Sequence, residues 1–474
     1  MASEQKKSKN QKLQEELFIK RESSWLGYDE KDMKEVFTFS DEYKQFMKYN
    51  KTERLCVASM VKILEEKGFK DLSKLNEIRP GDRFYKNFKG KTLLACRVGK
   101  HMDRLRLIGS HVDSPRLDLK PSPLYEDAEL ALLQTHYYGG IKKYHWVNQP
   151  LELHGIAFTR DGKEVPVHMG VEEGEPKFII PDLLPHLARD QMKKNGDKVV
   201  EGEELNIVFG HIPIKDNDIK EKIKLNVMKH LNEKYGLIEE DFNIAELEFV
   251  PAVKPVDIGI DGGMVGAYGQ DDRVCAYTSL RALVDVEEHD DTIIAYFADK
   301  EETGSMGDTG AESFALINFT SEYTRKTGVD FTWEQLLEHT MSISADVTGA
   351  LDPTYKSVND PGNVSYVGRG VSIEKYGGRG GKYSTNDARA EYMQYMRRVA
   401  DENNIPWQTG EQGKIDTGGG GTIAMFLSRY GMDCVDIGPC MLAMHSTCEV
   451  TSKADIYSTY LFYRAFFRDS SRIS

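Results

Sequence analysis

The stretch TIIAYFADKEETGSMG, residues 292–307, decides the fold. Residues 292–298 are almost entirely apolar, which is typical of a strand buried on both faces of a parallel sheet. Two neighbouring acids, Glu301 and Glu302, follow shortly after that strand. Because ligands of open α/β sheets bind beyond the carboxyl ends of the strands, this stretch predicts a crevice lined by carboxylates.

Other segments repeat this arrangement of a buried strand followed by a histidine or an acid. Residues 105–108, 341–345 and 434–437 are predicted as further buried strands. A glycine-rich loop at 262–269 leads to a pair of aspartates at the start of a helix. The side chains that these segments bring towards one sheet edge are His111, Asp113, Asp271, Asp272, Asp346 and His445.

The order of the predicted elements indicates the fold class. Strands alternate with helices in the first and last parts of the chain, which predicts a doubly wound α/β fold with a mixed sheet. Between them, short alternating segments such as 151–158 are bounded by Gly and Pro, as in antiparallel sheet. We therefore predict one α/β domain from residues 1–138 and 255–474, interrupted by a mostly β insertion at residues 139–254.

The composition excludes several classes of protein. The chain has 474 residues and a formal net charge of −14, and this acidic balance argues against nucleic acid as a partner. No run of about 18 apolar residues is present to span a membrane, and residues 1–10 lack the apolar core of a secretory signal. The six cysteines form no CxxC motif, which favours reduced thiols and a cytoplasmic location.

The grouped histidines and acids predict a metal site. Taken singly, His445 has the ordinary explanation of an exposed histidine, and the Asp271–Asp272 pair that of a helix cap. Together, several carboxylates at one buried strand edge repel each other unless a cation is present. Imidazole and carboxylate ligands without thiolate suit Zn²⁺, Mn²⁺ or Co²⁺, and so many ligands suit two ions that share a carboxylate. Asp113 would accept the His111 ring N–H as a supporting group.

A glycine-rich segment, DTGGGGT at residues 416–422, is a candidate substrate loop. One interpretation is a merely flexible loop. The other is backbone that approaches a substrate closely and offers its N–H groups, which we assign to Gly419 and Gly420.

The same residues resemble a known family, the M18 metallo-aminopeptidases. The resemblance runs in order over nearly the whole chain. It also covers residues 137–157, which look like the entry to the family's β-rich dimerisation domain. The matching segments are GSHVDSPRLDLKP (109–121), QDDRVCAYTSL (270–280), ADKEETGSMG (298–307), SADVTGALDP (344–353), LAMHSTCEV (442–450), YYGGIKKYHW (137–146) and LELHGIA (151–157).

The resemblance implies a role for each candidate residue. One metal ion would be held by His111, Asp271 and Asp346, and the α/β part would be a zinc-peptidase-like catalytic domain. The second ion would be held by Asp271, Glu302 and His445, with Asp271 bridging the two. The resemblance further implies Glu301 as general base, His186 as a residue that reaches into a neighbouring active site, and a tetrahedral dodecamer built from dimers through the insertion.

These implications define the predicted function. We expect a dimetal aminopeptidase that hydrolyses the N-terminal peptide bond of peptides through a metal-bridging water activated by Glu301, with Zn²⁺ as first choice of metal and Co²⁺ or Mn²⁺ as alternatives. A related amidohydrolase or deacylase acting on N-acyl amino acids is the alternative enzyme. A cargo or assembly protein that has lost its chemistry would show a broken ligand set, and here the set is complete.

The substrate preference is less defined by the resemblance. Acid-specific relatives carry a lysine near position 380, where this chain has GGRGGKY at residues 377–383. Lys382 is the candidate substrate-binding residue of this segment. Because the family's lysine is missing there, we expect a broad, neutral or hydrophobic N-terminal preference.

Overall fold

A mixed sheet forms the centre of the protein in the computed structural model, which describes residues 7–19, 22–328 and 330–473. Within these ranges the central sheet has nine strands. In spatial order they are Lys70–Asp71, Arg83–Phe88, Thr92–Arg97, Asp291–Ala298, His101–His111, Met341–Ser344, Asp433–Gly438, Val371–Glu374 and Trp407–Thr409. The strands from Asp291–Ala298 to Asp433–Gly438 in this order are mutually parallel, so their carboxyl ends share one edge.

Both faces of the central sheet are buried, as the apolar strand residues predict. In Asp291–Ala298 every residue is buried, and successive side chains enter different apolar clusters. Ile293 and Phe297 belong to the cluster on one face, whereas Ile294 and Tyr296 belong to the cluster on the other. This two-sided burial explains why the strand has no polar face.

Helices cover the two faces. One face carries Glu30–Tyr49, Glu53–Glu66, Gln270–Asp285, Ala390–Glu402 and Lys453–Arg468, and the other carries Ala315–Thr327, Trp333–Glu338 and Ala424–Ser428. The α/β fold class predicted from the sequence is confirmed. Lys9–Leu17 precedes these helices in the chain. Among the described residues, no helix combines the length and the apolar character needed to cross a membrane.

An antiparallel outer sheet forms a second layer, with its own apolar cluster. The helix Lys222–Tyr235 packs on it through Ile223 and Leu231. Its first strands precede residue 139, so the outer sheet begins earlier in the chain than the predicted insertion, and the division into domains stays a prediction. In spatial order the strands are Glu164–Met169, Leu151–Phe158, Glu246–Pro251, Arg116–Asp127, Leu130–Tyr138 and Asn206–Gly210.

Buried ion pairs join the outer sheet to the helices of the α/β part. Lys51 Nζ lies 2.9 Å from Glu152 of the outer sheet, with both side chains about 5 % exposed or less. Arg116 Nη1 lies 3.2 Å from Glu53 Oε2, where the glutamate is fully buried. Because a buried charge that loses its partner is strongly destabilising, these pairs fix the outer sheet against the α/β part.

A small sheet lies beside the carboxyl edge of the central sheet. Its strands are Val256–Ile258, Met264–Ala267, Glu449–Ser452, Cys440–Leu442 and Thr348–Gly349 in spatial order. The loop after Met264–Ala267 leads to Asp271, and the loop between Cys440–Leu442 and Glu449–Ser452 carries His445. The small sheet therefore brings these two residues to the edge where the parallel strands end.

Candidate metal centre

The structure brings together the residues that the sequence places at strand ends. His111 is the last residue of its strand, and Asp346 follows Met341–Ser344 after one residue. Glu301 and Glu302 follow Asp291–Ala298 in a short turn. With Asp271 and His445 from the small sheet, two imidazoles and four carboxyl groups meet at one edge.

Asp271 stands between the two histidines. Its Oδ1 lies 3.2 Å from Nε2 of His111, and its Oδ2 lies 3.2 Å from Nε2 of His445. His445 Nε2 is also 3.2 Å from Oε2 of Glu302, and His111 Nε2 is 4.0 Å from Oδ1 of Asp346. The Asp271 carboxylate therefore lies between two groups of side chains: Oδ1 faces His111 and Oδ2 faces His445.

Backbone carbonyls fix the orientation of both imidazoles. The His111 Nδ1–H donates to the carbonyl oxygen of Asp113 at 3.1 Å, and the His445 Nδ1–H donates to that of Gly140 at 2.8 Å. A carbonyl can only accept, so the proton lies on Nδ1 in each ring. Nε2 then faces the carboxylates: protonated, it hydrogen-bonds to Asp271, and with a metal ion bound its lone pair would serve as the ligand, as in a metal-ligating histidine with a supporting acceptor.

Asp113 holds the turn that carries the two glutamates. Its Oδ1 accepts the backbone N–H of Glu301 at 3.1 Å, and its Oδ2 accepts that of Glu302 at 3.2 Å. The Tyr138 hydroxyl donates to the same carboxylate at 2.7 Å. The contact expected from the sequence, Oδ1 to Nδ1 of His111, is 3.3 Å long. Asp113 thus positions the glutamate turn as well as the histidine.

The centre has an excess of buried negative charge. Burial raises the pKa of Glu301 to about 7 and raises the pKa values of Glu302 and Asp346 well above the usual range. The pKa of Asp271 stays below its usual value despite burial, because both histidines hydrogen-bond to it. The Asp271 and Glu302 carboxylates raise the pKa of His445 to about 10, although burial acts in the opposite direction.

These residues fit divalent metal ions. Among the described residues, no lysine or arginine pairs with Asp271, Glu302 or Asp346, and Oε1 of Glu302 is buried without a hydrogen-bond partner. The ligand atoms of two sets lie within 4.8 Å of one another. The donors are nitrogen and oxygen only, the chemistry that zinc and its neighbours accept. The sets are His111 with Asp271 and Glu302, and His111 with Asp272 and Asp346.

The predicted substrate loop lies next to this centre. Gly420 lines a cavity that also reaches Asp346, and Gly419 lines the neighbouring cavity. A Cβ atom at Gly419 would lie 1.8 Å from the carbonyl oxygen of Gly378, in a backbone conformation with φ of 116°. Only glycine fits this position, because two loops of the protein approach each other here; the close approach to a substrate expected from the sequence stays a prediction.

Lys382 and His186 lie outside the group. Lys382 lines the same cavity as Gly419, but its Nζ is 2.7 Å from Oδ2 of Asp387, and that ion pair occupies its charge. His186 is exposed in the segment after the outer-sheet strand Glu164–Met169, and among the described residues no hydrogen bond joins it to the site. Neither residue touches the metal-site side chains within one subunit.

Glu449, Tyr138 and Gly140 are site residues that the sequence analysis did not identify. The carboxylate of Glu449 accepts the backbone N–H groups of Asp271 and His445. Its position in the segment LAMHSTCEV, four residues after His445, is the only sequence signal for it. Tyr138 and Gly140 act through a hydroxyl and a carbonyl in a turn, for which spacing gives no signal.

Comparison with known proteins places the chain among metallopeptidases. The family model described as Aminopeptidase I zinc metalloprotease (M18) matches residues 46–467. A probable M18 family aminopeptidase 1 of Clostridium acetobutylicum is 45 % identical over 459 residues, which cover 95 % of this chain and 99 % of that protein.

Solved structures agree with this comparison. The crystal structure of an M18 family aminopeptidase from Thermotoga maritima has a TM-score of 0.91 at 43 % identity, covering 95 % of this chain and all of that chain. A dodecamer of mApe1 from S. cerevisiae has a TM-score of 0.72 at 21 % identity, covering 90 % of this chain and 96 % of that one. At that lower identity the likeness extends to the fold alone.

Proposed function

The chain belongs to the M18 family of zinc metallo-aminopeptidases, and on this premise we propose that it hydrolyses N-terminal peptide bonds with two divalent metal ions. One observation carries the proposal: the two oxygens of Asp271 face the Nε2 atoms of His111 and His445 at 3.2 Å each. A carboxylate in this position has the geometry of a ligand shared by two ions.

The proposed ligands divide into two sets that share Asp271; Asp272 is not among them, because its Oδ2 accepts the backbone N–H of His111. His111 and Asp346 complete one set, and Glu302 and His445 complete the other. When bound, the ions supply Lewis acidity to the scissile carbonyl and to the attacking water. Zn²⁺ is our first choice, and Co²⁺ or Mn²⁺ accept the same donors.

Glu301 is the proposed general base. Its Oε2 lies 3.7 Å from Nε2 of His111, and its side chain is 16 % exposed, so it borders the group without being enclosed in it. We assign to this carboxylate the removal of a proton from the attacking water and its delivery to the leaving amine nitrogen. The hydrogen bond from its backbone N–H to Asp113 holds the side chain at that place.

The substrate is proposed to lie along the glycine loops. Gly420 lines the cavity that reaches Asp346 and Gly419 lines the neighbouring one, where backbone N–H groups of the loop can donate to peptide carbonyls. Lys382 is a weaker candidate, because Asp387 already neutralises its charge.

Aminoacyl anilides should be hydrolysed, and removal of metal should abolish the activity. The free α-amine distinguishes an aminopeptidase from the alternative deacylase, which requires an N-acyl group. We expect turnover of leucyl and alanyl anilides, no turnover of N-acetyl amino acids, loss of activity after dialysis against a chelator, and recovery on adding zinc. The measurement is the initial rate with each substrate; turnover of the N-acetyl compounds alone would establish the deacylase.

We propose that the active enzyme is a homo-oligomer. The segment between the outer-sheet strands Glu164–Met169 and Asn206–Gly210 exposes apolar side chains at Leu183, Leu184 and Leu187, beside His186. The mApe1 dodecamer is a property of that yeast protein, and we extend it to this chain as a tetrahedral dodecamer of dimers. We assign residues 139–254 to subunit pairing and the rest to catalysis.

The six free cysteines suit the cytoplasm, where we place the enzyme.

Mixing two inactive variants should restore activity if His186 acts in the neighbouring subunit. His186→Ala removes a hydrogen-bond donor to the developing oxyanion, for which a loss of about 10²–10³ in kcat is typical. Glu301→Gln subunits still carry His186, and His186→Ala subunits still carry Glu301. In two-fold pairs formed at random from equal amounts, about one quarter of the sites would then be complete.

The control for this experiment is a mixture of two variants whose changed residues belong to the same subunit's part of the site. Glu301→Gln mixed with Glu302→Gln offers no complete site in any pairing, so its rate should stay at the level of the single variants. His211→Ala, an exposed histidine elsewhere on the outer sheet, should keep the wild-type rate. Subunit exchange verified by mass spectrometry without recovery would exclude the shared site.

A further inference from the structure

Glu449 connects the two loops of the small sheet that carry proposed metal ligands. Glu449 is the first residue of the strand Glu449–Ser452 and is 1 % exposed. Oε1 accepts the backbone N–H of His445 at 2.7 Å, and Oε2 accepts that of Asp271 at 3.1 Å. A single carboxylate thus spans two segments that are distant in sequence, one oxygen on each.

Both backbone positions need an external partner. His445 adopts a left-handed conformation with φ of 61°, and Asp271 has non-helical angles at the start of Gln270–Asp285. The left-handed conformation of His445 is costly for a residue other than glycine unless the surroundings hold it, whereas the Asp271 N–H, outside the helical hydrogen-bond pattern, needs an acceptor. Glu449 supplies the acceptor that each of these N–H groups would otherwise lack at this buried site.

We infer that Glu449 is a positioning residue for metal binding, which sets the separation between Asp271 and His445. The ion that these two residues share with Glu302 requires Nε2 and Oδ2 at a fixed spacing, and the structure has them at 3.2 Å. The inference rests on the proposed metal centre. Removing a group that supports a metal ligand in this way typically lowers the metal affinity about 10–100-fold.

Asp455 provides a matched control elsewhere in the fold. It too is a fully buried carboxylate, and it accepts two backbone N–H groups, those of Gly368 and Gly370, at 2.7 Å each. It touches none of the proposed metal ligands. Asp455→Asn therefore measures how much the loss of one acceptor for two backbone N–H groups lowers the stability of the fold, without a direct effect on the metal centre.

The test measures zinc affinity by competition with a chromophoric chelator, using the full-length chain. In Glu449→Gln the amide NH₂ group faces one of the two backbone N–H groups, so only one acceptor remains. We expect one of two zinc ions to be held about 10-fold or more weakly in Glu449→Gln. The Asp455→Asn protein should keep wild-type zinc affinity, while both variants unfold at a lower temperature.

Glu449→Asp gives a second measurement if the glutamine variant fails to fold. It keeps the charge but is one methylene shorter, so it reaches only one of the loops, and it should also release zinc more readily than wild type. Unchanged zinc affinity in the folded Glu449 variants, or an equal loss in Asp455→Asn, would overturn the inference. Wild-type protein that binds none of zinc, cobalt and manganese would overturn the metal centre itself, and the inference with it.

Discussion

Replacing Glu301 by glutamine is expected to lower turnover by about 10²–10⁴-fold, the usual range for loss of a general acid–base group, while both metal ions stay bound. Glutamine has nearly the same shape as glutamate but cannot take a proton from water. Glu301 is outside both proposed ligand sets, so the ligands remain. The measurement pairs kcat for an aminoacyl anilide with the zinc content of the same sample.

Two variants in the same turn make this prediction specific. Glu302→Gln should lower the zinc content, because Glu302 Oε2 lies 3.2 Å from Nε2 of the proposed ligand His445. Asp299→Asn should keep normal turnover, since Asp299 is buried in the same turn but accepts the Thr309 hydroxyl at 2.6 Å, away from the centre. Near-normal turnover in Glu301→Gln would assign the base to another group.

Asp271→Ala should be the most damaging change of a single ligand. The variant removes the oxygen facing His111 and the oxygen facing His445 at once, so both proposed ions lose a bond. We expect less than one zinc ion per chain and no measurable turnover. Elemental analysis after gel filtration tests the metal content, and thermal unfolding of the metal-free protein tests whether the variant is folded.

Asp272→Asn is the natural control for that variant. Asp272 is adjacent and fully buried, and its Oδ2 accepts the backbone N–H of His111 at 3.2 Å. Asparagine keeps a carbonyl oxygen for this hydrogen bond, so the loss of zinc should be milder than in Asp271→Ala. Equal loss of zinc in the two variants would leave the bridging role of Asp271 without support.

Patterns of burial explain which elements the sequence predicts well. The predicted strand 151–158 is observed as Leu151–Phe158, and 292–298 is observed as Asp291–Ala298, because continuous or alternating apolar residues reflect burial directly. Strand-end reasoning also grouped the histidines and acids of the centre, since the carboxyl ends of parallel strands share one edge. Neither step required knowledge of which strands are neighbours.

The hairpin from Arg116 to Tyr138 shows where such reasoning stops. Its first strand contains Pro121 and Pro123 among polar residues, which predict a break rather than a strand. The pairing does shift there, between Leu119 and Leu124, but the next strand, Leu130–Tyr138, pairs on both sides of the shift, and the distant strand Glu246–Pro251 pairs with Leu117 and Asp118. Tertiary pairing of this kind leaves no local pattern, and the same holds for Glu449, whose role depends on two distant backbone N–H groups.

The position of Tyr138 and Gly140 at the end of that hairpin has a consequence for protein engineering. Tyr138 donates to Asp113, and Gly140 accepts from His445, so the strand that leaves the outer sheet ends as part of the metal centre's support. A cut at residue 139, where the predicted insertion begins, leaves Tyr138 in place but removes the Gly140 carbonyl that accepts from His445. A chimera that exchanges the outer sheet between relatives will also exchange the strand end that supports Asp113 and His445, so we expect it to keep its metal ions only where that turn has the same backbone course.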